Sequence, residues 1–338
     1  MKKILIILAL FAGLIACKNQ VADFPDYKYT TGYFHYQFPV RTIVLGDYIF
    51  DNTNDNNHKF TISAAIGGVY TNDKNRVFNI SVDPTLCNRA LFSSSNDTIR
   101  IMPSTYYTLS SSSQLVIPNG EYNGGIDVQL TDAFFNDPLA IKNTYVVPIR
   151  LLSSTDVDTI LFGMSSKTNP DPRIAGQWDI VPKDFAMFAV KYINPYHGKY
   201  LHRGVAVVKD AGNNVLQTTA YRTTFITSNE IWSLVTGNMT TATTSGTVRS
   251  TLIAGTMNLK LTFTDPTTIV ITQNTGSTFT ITGSGKFVAQ GDEFDNLKRN
   301  TIYLNYQFTS GANTYSALDT LVMRDRAVVI ELFTPKIY

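Results

Sequence analysis

The chain is poor in the residues from which catalytic centres are most often built. Among 338 residues there are two cysteines, four histidines and four glutamates, Glu121, Glu230, Glu293 and Glu331. The aspartates fall mostly in turn settings such as Asp83-Pro84 and Asp265-Pro266. Glycoside hydrolysis needs two carboxyls roughly 5–9.5 Å apart across the bond, and no spacing here points to such a pair. There is no Gly-x-Ser-x-Gly elbow, no HExxH and no phosphate loop, so the chain is read as a non-enzyme. Only 16% of residues are charged, and the basic ones form no runs. Without a basic stripe there is no electrostatic footprint for nucleic acid.

Helical periodicity is also scarce. Short runs of β-branched and aromatic residues alternate with Asn, Gly, Asp and Pro turns, the pattern of sandwiches and barrels. With 43% hydrophobic residues the chain can bury a large core, and its length suits two domains.

The N-terminus gives the location. Residues 1–20, MKKILIILALFAGLIACKNQ, carry two lysines, an apolar run from Ile4 to Ile15, then Ala16 and Cys17. The run is too short to span a bilayer and fits a secretory signal. Leu14-Ile15-Ala16-Cys17 resembles the bacterial lipobox, which implies cleavage after residue 16 and acylation of Cys17. Each buried methylene of such an anchor contributes roughly 0.8 kcal/mol, so the membrane is expected to be met through lipid alone. Loss of residues 1–16 removes Lys2 and Lys3 and leaves 26 basic against 26 acidic side chains. Cys87, in VDPTLCNRA, then has no thiol partner and reads as a small packed side chain.

In the first half, FTISAAIGGVY, RVFNISVD, TYYTLSS, SQLVIP, GIDVQL and TYVVPIRLLS are strand candidates, with TNDKNR as a hairpin turn between the first two. Pro103, Pro118 and Pro148 suggest strand starts or edges. The expected plan is all-β: a tether over 17–31, an immunoglobulin-like β-sandwich over 32–163, a linker over 164–174, and an antiparallel up-and-down barrel over 175–338. DNTNDNNHK, residues 51–59, starts like a calcium loop but has Asn56 where glycine is needed and Ile62 where glutamate is needed. It reads as a solvated hairpin loop, and no metal or cofactor is expected.

The order of MPSTYYTLSSSSQLVIPNG, YVVPIRLLS, KYINPYHGKYLHRG and DTLVMRDR behind a lipobox resembles a family of two-domain Bacteroidetes surface lipoproteins. That resemblance implies a lipocalin-like (calycin) barrel behind the immunoglobulin-like domain, placement on the outer membrane, and glycan capture beside Sus-type transport proteins; some members are described as adhesins. Gly176-x-Trp178 is similar to the opening of the first lipocalin strand, which implies that Trp178 plugs the barrel under Arg324 or Arg326.

Four stretches are candidate sites. In NPYHGKYLHRG, His197 and His202 are five apart, so on one strand they face opposite ways and cannot share a metal. Tyr196 and His197 read as turn residues, or as a sugar-contacting loop. Trp232, with Asn229 and Glu230 beside it, reads as core or as a sugar platform at a barrel end. Asp97-Thr98, Asp158-Thr159 and Asp319-Thr320 match a short O-glycosylation pattern. Three functions follow: surface binding of an oligo- or polysaccharide, adhesion to another protein or a host surface by strand addition, and carriage of an apolar ligand inside the barrel.

Overall fold

The structure is a computed structural model that describes residues 27–338; the expected signal segment 1–16, Cys17 and residues 18–26 lie outside the described residues. What is described is nearly all β, in two lobes. In the first lobe, sheet order runs through Thr159–Ile160, Thr31–Tyr33, Lys59–Gly67, Asn123–Leu130, Gln114–Ile117, Arg76–Val82, Tyr145–Ser153, Phe185–Ile193, Pro39–Val44 and Glu331–Leu332. Its two halves are joined by the single pair Val116–Gly125 and fold over one core. Alternation explains that core: Lys59–Gly67 buries Phe60, Ile62, Ala64 and Ile66 and exposes Thr61 and Ser63, while Phe78, Ile80, Val147 and Ile149 come from the opposite half. Each fully buried side chain of this size stabilises the fold by roughly 1.5–3 kcal/mol.

Several expectations are corrected here. TNDKNR is not a hairpin turn, because Lys59–Gly67 and Arg76–Val82 are not neighbours. It crosses between the sheet halves, fastened where Asn72 donates to the carbonyls of Pro118 and Glu121. Pro148 lies inside Tyr145–Ser153 rather than at a strand start. It is tolerated because the neighbouring strand has ended at Val82 and Asp83 donates to the Pro148 carbonyl, so no ladder bond needs its missing N–H.

The lobe boundary also moves. Phe185–Ile193 pairs antiparallel with Tyr145–Arg150 and parallel with Val40–Val44, so it belongs to the first lobe, and the chain passes to the second at residues 194–197. The C-terminal end returns: Glu331–Leu332 pairs with Pro39–Val40, and Pro335–Ile337 with Ala90–Phe92. Phe333 then packs with Phe92 and Phe38.

Trp178 is outside the barrel. It follows a short 3-10 turn, Ala175–Gln177, and its indole donates to the Asp171 carbonyl at 2.8 Å. Cys87 is buried, and its thiol is pushed up to about 12 chiefly by desolvation, which keeps it un-ionised and inert.

The second lobe is a closed antiparallel barrel of eight strands: Gly198–Lys209, Glu230–Asn238, Thr241–Thr247, Thr256–Phe263, Thr268–Gln273, Thr282–Phe294, Leu297–Ser310 and Asn313–Asp325. The last pairs back with the first, which removes the sheet's edges. Val215–Tyr221 adds to the far half of Gly198–Lys209. The interior is filled with side chains, among them Tyr200, Trp232, Leu259, Ile302, Tyr306 and Tyr315, as expected at this strand number. Among the described residues no helix is long and apolar enough to cross a membrane.

Candidate functional site

A cleft of about 1060 Å³ opens where the lobes meet. One wall is the segment Gly46–Phe50, another the hairpin tip around Leu297–Asn300, and the floor is the strand end and exit segment Met323–Val329. Local chemistry fixes each wall. Gly46 has φ +79°, and a Cβ there would lie 2.6 Å from the Pro195 Cβ, so glycine is the residue that both the turn and the lobe contact require. Asn52 donates to the carbonyls of Val44 and Gly46, and Asn56 accepts from the Gly46 N–H.

The stretch 51–59 is therefore not a solvated hairpin loop. Residues Thr53–Asn56 form one helical turn, and Asp55 is buried against Arg41 and the Val44 N–H. Burial raises its carboxyl above the usual range, against the pull of that N–H and of Arg41. No group of acidic, histidine or cysteine side chains suited to a metal ion occurs among the described residues.

The hairpin tip turns on Asp295 and Asn296, both left-handed with φ near +56° and +55°, as a two-residue type I′ loop requires. Asn300 ties it to the first lobe, donating to Asp47 at 3.2 Å and accepting from the Gln290 N–H. The floor is held by Arg326, whose guanidinium donates to the carbonyls of Leu45, Asp47, Asn194 and His197 at 2.6–2.9 Å. Burial lowers its affinity for its proton, with the Asp47 charge pulling the other way from a distance; among the described residues no carboxylate pairs with it directly, and four carbonyl dipoles carry its charge. Arg326 thus clasps the lobes and does not cover Trp178; Arg324 is exposed beside Asp325.

Inside the cleft, Tyr48 and Phe50 meet edge to face with ring centroids 5.5 Å apart, and Phe50 keeps 66% of its surface exposed. Around them stand Asp47, Gln290, Asn300 and the cationic Lys199, Lys298, Arg299 and Arg324. This arrangement gives flat apolar faces beside hydrogen-bonding groups.

The residues singled out from sequence divide into two groups. Trp232, Asn229 and Glu230 come together at the other side of the barrel, but the indole is buried. The His202 imidazole lies on it, 3.8 Å between centroids and 26° from parallel. His202 stands between Glu230 at 3.1 Å and Asp319 at 3.2 Å. Asp319 also accepts from Tyr306 at 2.8 Å and from Tyr221. Burial and then the Asp319 charge push both phenols well above their ordinary range. Glu230 is half exposed and bonded to Arg249, and Asn229 accepts from Thr223. Asp319 is thereby enclosed and Thr320 beside it half-buried, whereas Thr98 and Thr159 are exposed.

Tyr196 and His197 lie in the turn between the lobes, close to the cleft but facing inward. Tyr196 stacks on Phe263 at 3.3 Å and 3°. His197 accepts from the Thr236 N–H, and burial, with Arg326 and Lys191 nearby, lowers its pKa to about 4. Tyr48 and Phe50 were missed in the sequence. The signal was YIF between Gly-Asp and Asp-Asn, an apolar run too short for a strand and flanked by turn formers.

Residues 195–327 match the family model of DUF5627, a domain of unknown function, and residues 27–158 match a model described as an N-terminal domain. A Bacteroides ovatus protein of unknown function is 35% identical with a TM-score of 0.84, covering 93% of this chain and 100% of its own. A multidomain protein including DUF1735 from B. ovatus (13% identity, TM-score 0.42, 90% of this chain and 100% of its own) is far less similar. So is an auxiliary nutrient binding protein from Bacteroides thetaiotaomicron (14%, 0.40, 84% and 90%). At those scores neither carries an argument. A search of curated proteins finds no match.

Proposed function

We propose that this chain, which belongs to a Bacteroidetes family shared with the B. ovatus protein and joining an N-terminal β domain to DUF5627, binds carbohydrate without catalysis in the cleft between its lobes. The observation that carries this reading is the pair of half-buried Tyr48 and exposed Phe50, lining the cleft with Asp47, Asn300 and Gln290. Sugar rings present C–H faces to aromatic rings and hydroxyls to amides and carboxylates. A phenylalanine left mostly exposed on a built wall is the feature such a ring would cover.

A lipid-anchored place in the outer membrane, more readily at the cell surface than the periplasmic face, rests on residues 1–17. Work beside Sus-type transport proteins rests on the family resemblance. The carrier reading loses support, because Trp232, Tyr306, Tyr315 and the Asp319 cluster fill the barrel. Adhesion keeps one supporting feature: Val215–Tyr221 pairs on one side only, with Val215 and Leu216 half exposed. The test is retardation of the purified protein in gels containing single polysaccharides, repeated with Phe50→Ala and Tyr48→Ala. Binding to one polymer class, weakened about tenfold by Phe50→Ala, is expected, the loss of a stacking contact of about 1.4 kcal/mol. Binding to no polymer class sinks the proposal.

A further inference from the structure

Resting on the carbohydrate reading of this same cleft, we propose that its ligand is an anionic glycan, one whose sugars carry carboxylate or sulfate. The walls bring five basic side chains together with two acidic ones, in a chain whose charges otherwise nearly balance. The acids are already engaged. Asp47 accepts from Asn300, and Asp325 accepts from the Ala327 N–H at 2.8 Å and pairs with Arg324 at 3.4 Å.

The cations divide in a way that identifies the ligand-facing pair. Arg326 is spent on four carbonyls, and Arg299 lies over the Phe294 ring at 4.2 Å. Lys199 and Lys298 both line the cleft, and neither has an ion-pair partner among the described residues; Glu293, directly across the hairpin from Lys298, does not close on it. Two ammonium groups without an ion-pair partner, in the same cleft as Tyr48 and Phe50, match a ring that stacks through its C–H face and carries an anionic substituent at its edge. Charge-assisted hydrogen bonds of that kind are about twice as strong as neutral ones.

The experiment is affinity electrophoresis of the whole protein against polygalacturonate, hyaluronan and chondroitin sulfate beside neutral mannan, arabinan and dextran, at low and high salt. Wild type is compared with Lys199→Ser, Lys298→Ser, the double variant and Phe50→Ala, each shown by thermal melting to be folded. Expected is retardation by at least one acidic polymer, weakened at least tenfold in the double lysine variant and reduced by salt. A response to carboxylated but not sulfated polymers, or the reverse, names the acidic group. Retardation by a neutral polymer that depends on Phe50 but not on the lysines overturns the anionic inference and leaves the carbohydrate reading standing. Acidic retardation untouched by all four variants overturns it as ion exchange elsewhere, and retardation by no polymer overturns both.

Discussion

Arg326 donates to the main-chain carbonyl of Asn194 at 2.7 Å, and this bond ties the end of the barrel to the strand leaving the first lobe. Asn194 is itself fully buried. Its side chain donates to the carbonyls of Asn238 and Thr241, and its N–H bonds the Thr236 hydroxyl. The lobes are therefore joined by a polar cluster with no carboxylate on the guanidinium, and the cleft wall depends on it.

Replacing Arg326 by Ala takes the guanidinium donor from the carbonyls of Leu45, Asp47 and His197, while the Asn194 carbonyl keeps the His197 N–H at 3.2 Å. Leaving buried acceptors unpaired costs roughly 1–3 kcal/mol each where water cannot reach them, so a loss of about 3 kcal/mol or more in denaturant unfolding is expected. Arg326→Lys should recover only part of this, because an ammonium offers three donors and no planar fork. Equal stability of the Lys variant and wild type would show that the fork is not what joins the lobes.

Gly46→Ala tests the wall directly. The left-handed conformation costs a non-glycine residue about 1–3 kcal/mol, and the new methyl meets Pro195 at 2.6 Å. The segment carrying Tyr48 and Phe50 should shift, lowering both melting temperature and ligand retention. Gly120→Ala serves as control, since it is also left-handed but has open space around its Cβ; it should lower stability and leave retention unchanged.

His197 predicts a pH dependence with a defined window. Its pKa is lowered from 6.5 to about 4, so between those values the unfolded chain binds a proton that the native protein excludes. Stability from this group is complete above pH 6.5 and falls as pH drops toward 4, by about 3 kcal/mol in all. Carboxylates held below their usual range, such as Asp171 beside Arg173, act below that window. Buried Asp55 and Asp184, whose carboxyls are raised from 3.8, oppose the trend in the lower part of that window but are common to both proteins compared. His197→Asn keeps an acceptor for the Thr236 N–H without a titrating ring. The difference in unfolding free energy between wild type and variant should therefore shrink or reverse between pH 7 and 4.5, and a constant difference would remove His197 as its source.

Strand content and the barrel were legible because alternation at period two survives in stretches such as Thr256–Phe263 and Asn313–Asp325, where buried and exposed residues alternate. The lobe boundary was not. Phe185–Ile193 is nearly continuously buried, and such a strand carries no alternation to say which sheet holds it. Its partner Val40–Val44 lies some 150 residues away, in parallel register. The cleft was illegible for a related reason: Tyr48, Phe50, Lys298 and Arg324 come from three distant segments, and only the closure of the barrel against the first lobe brings them together. Trp232 was legible as an aromatic beside Asn229 and Glu230, whereas its partner His202 was visible only as one end of a five-residue spacing.

Trp232 and Phe50 make opposite predictions. Trp232 is 3% exposed, covered by His202 and set among Tyr200, Leu234 and Met257. Truncating a buried tryptophan leaves a cavity and costs roughly 3–5 kcal/mol, so Trp232→Ala should lose much of its cooperative unfolding, and any loss of binding should follow the fraction unfolded. Phe50 is exposed and holds little core together, so Phe50→Ala should change stability by less than about 0.5 kcal/mol while removing the ring on which a ligand stacks. Melting curves run on the protein samples used for polymer retardation separate the two. Loss of retention in Trp232→Ala under conditions where it is fully folded, with Phe50→Ala unaffected, would move the site from the cleft to the barrel mouth around Glu230 and Arg249.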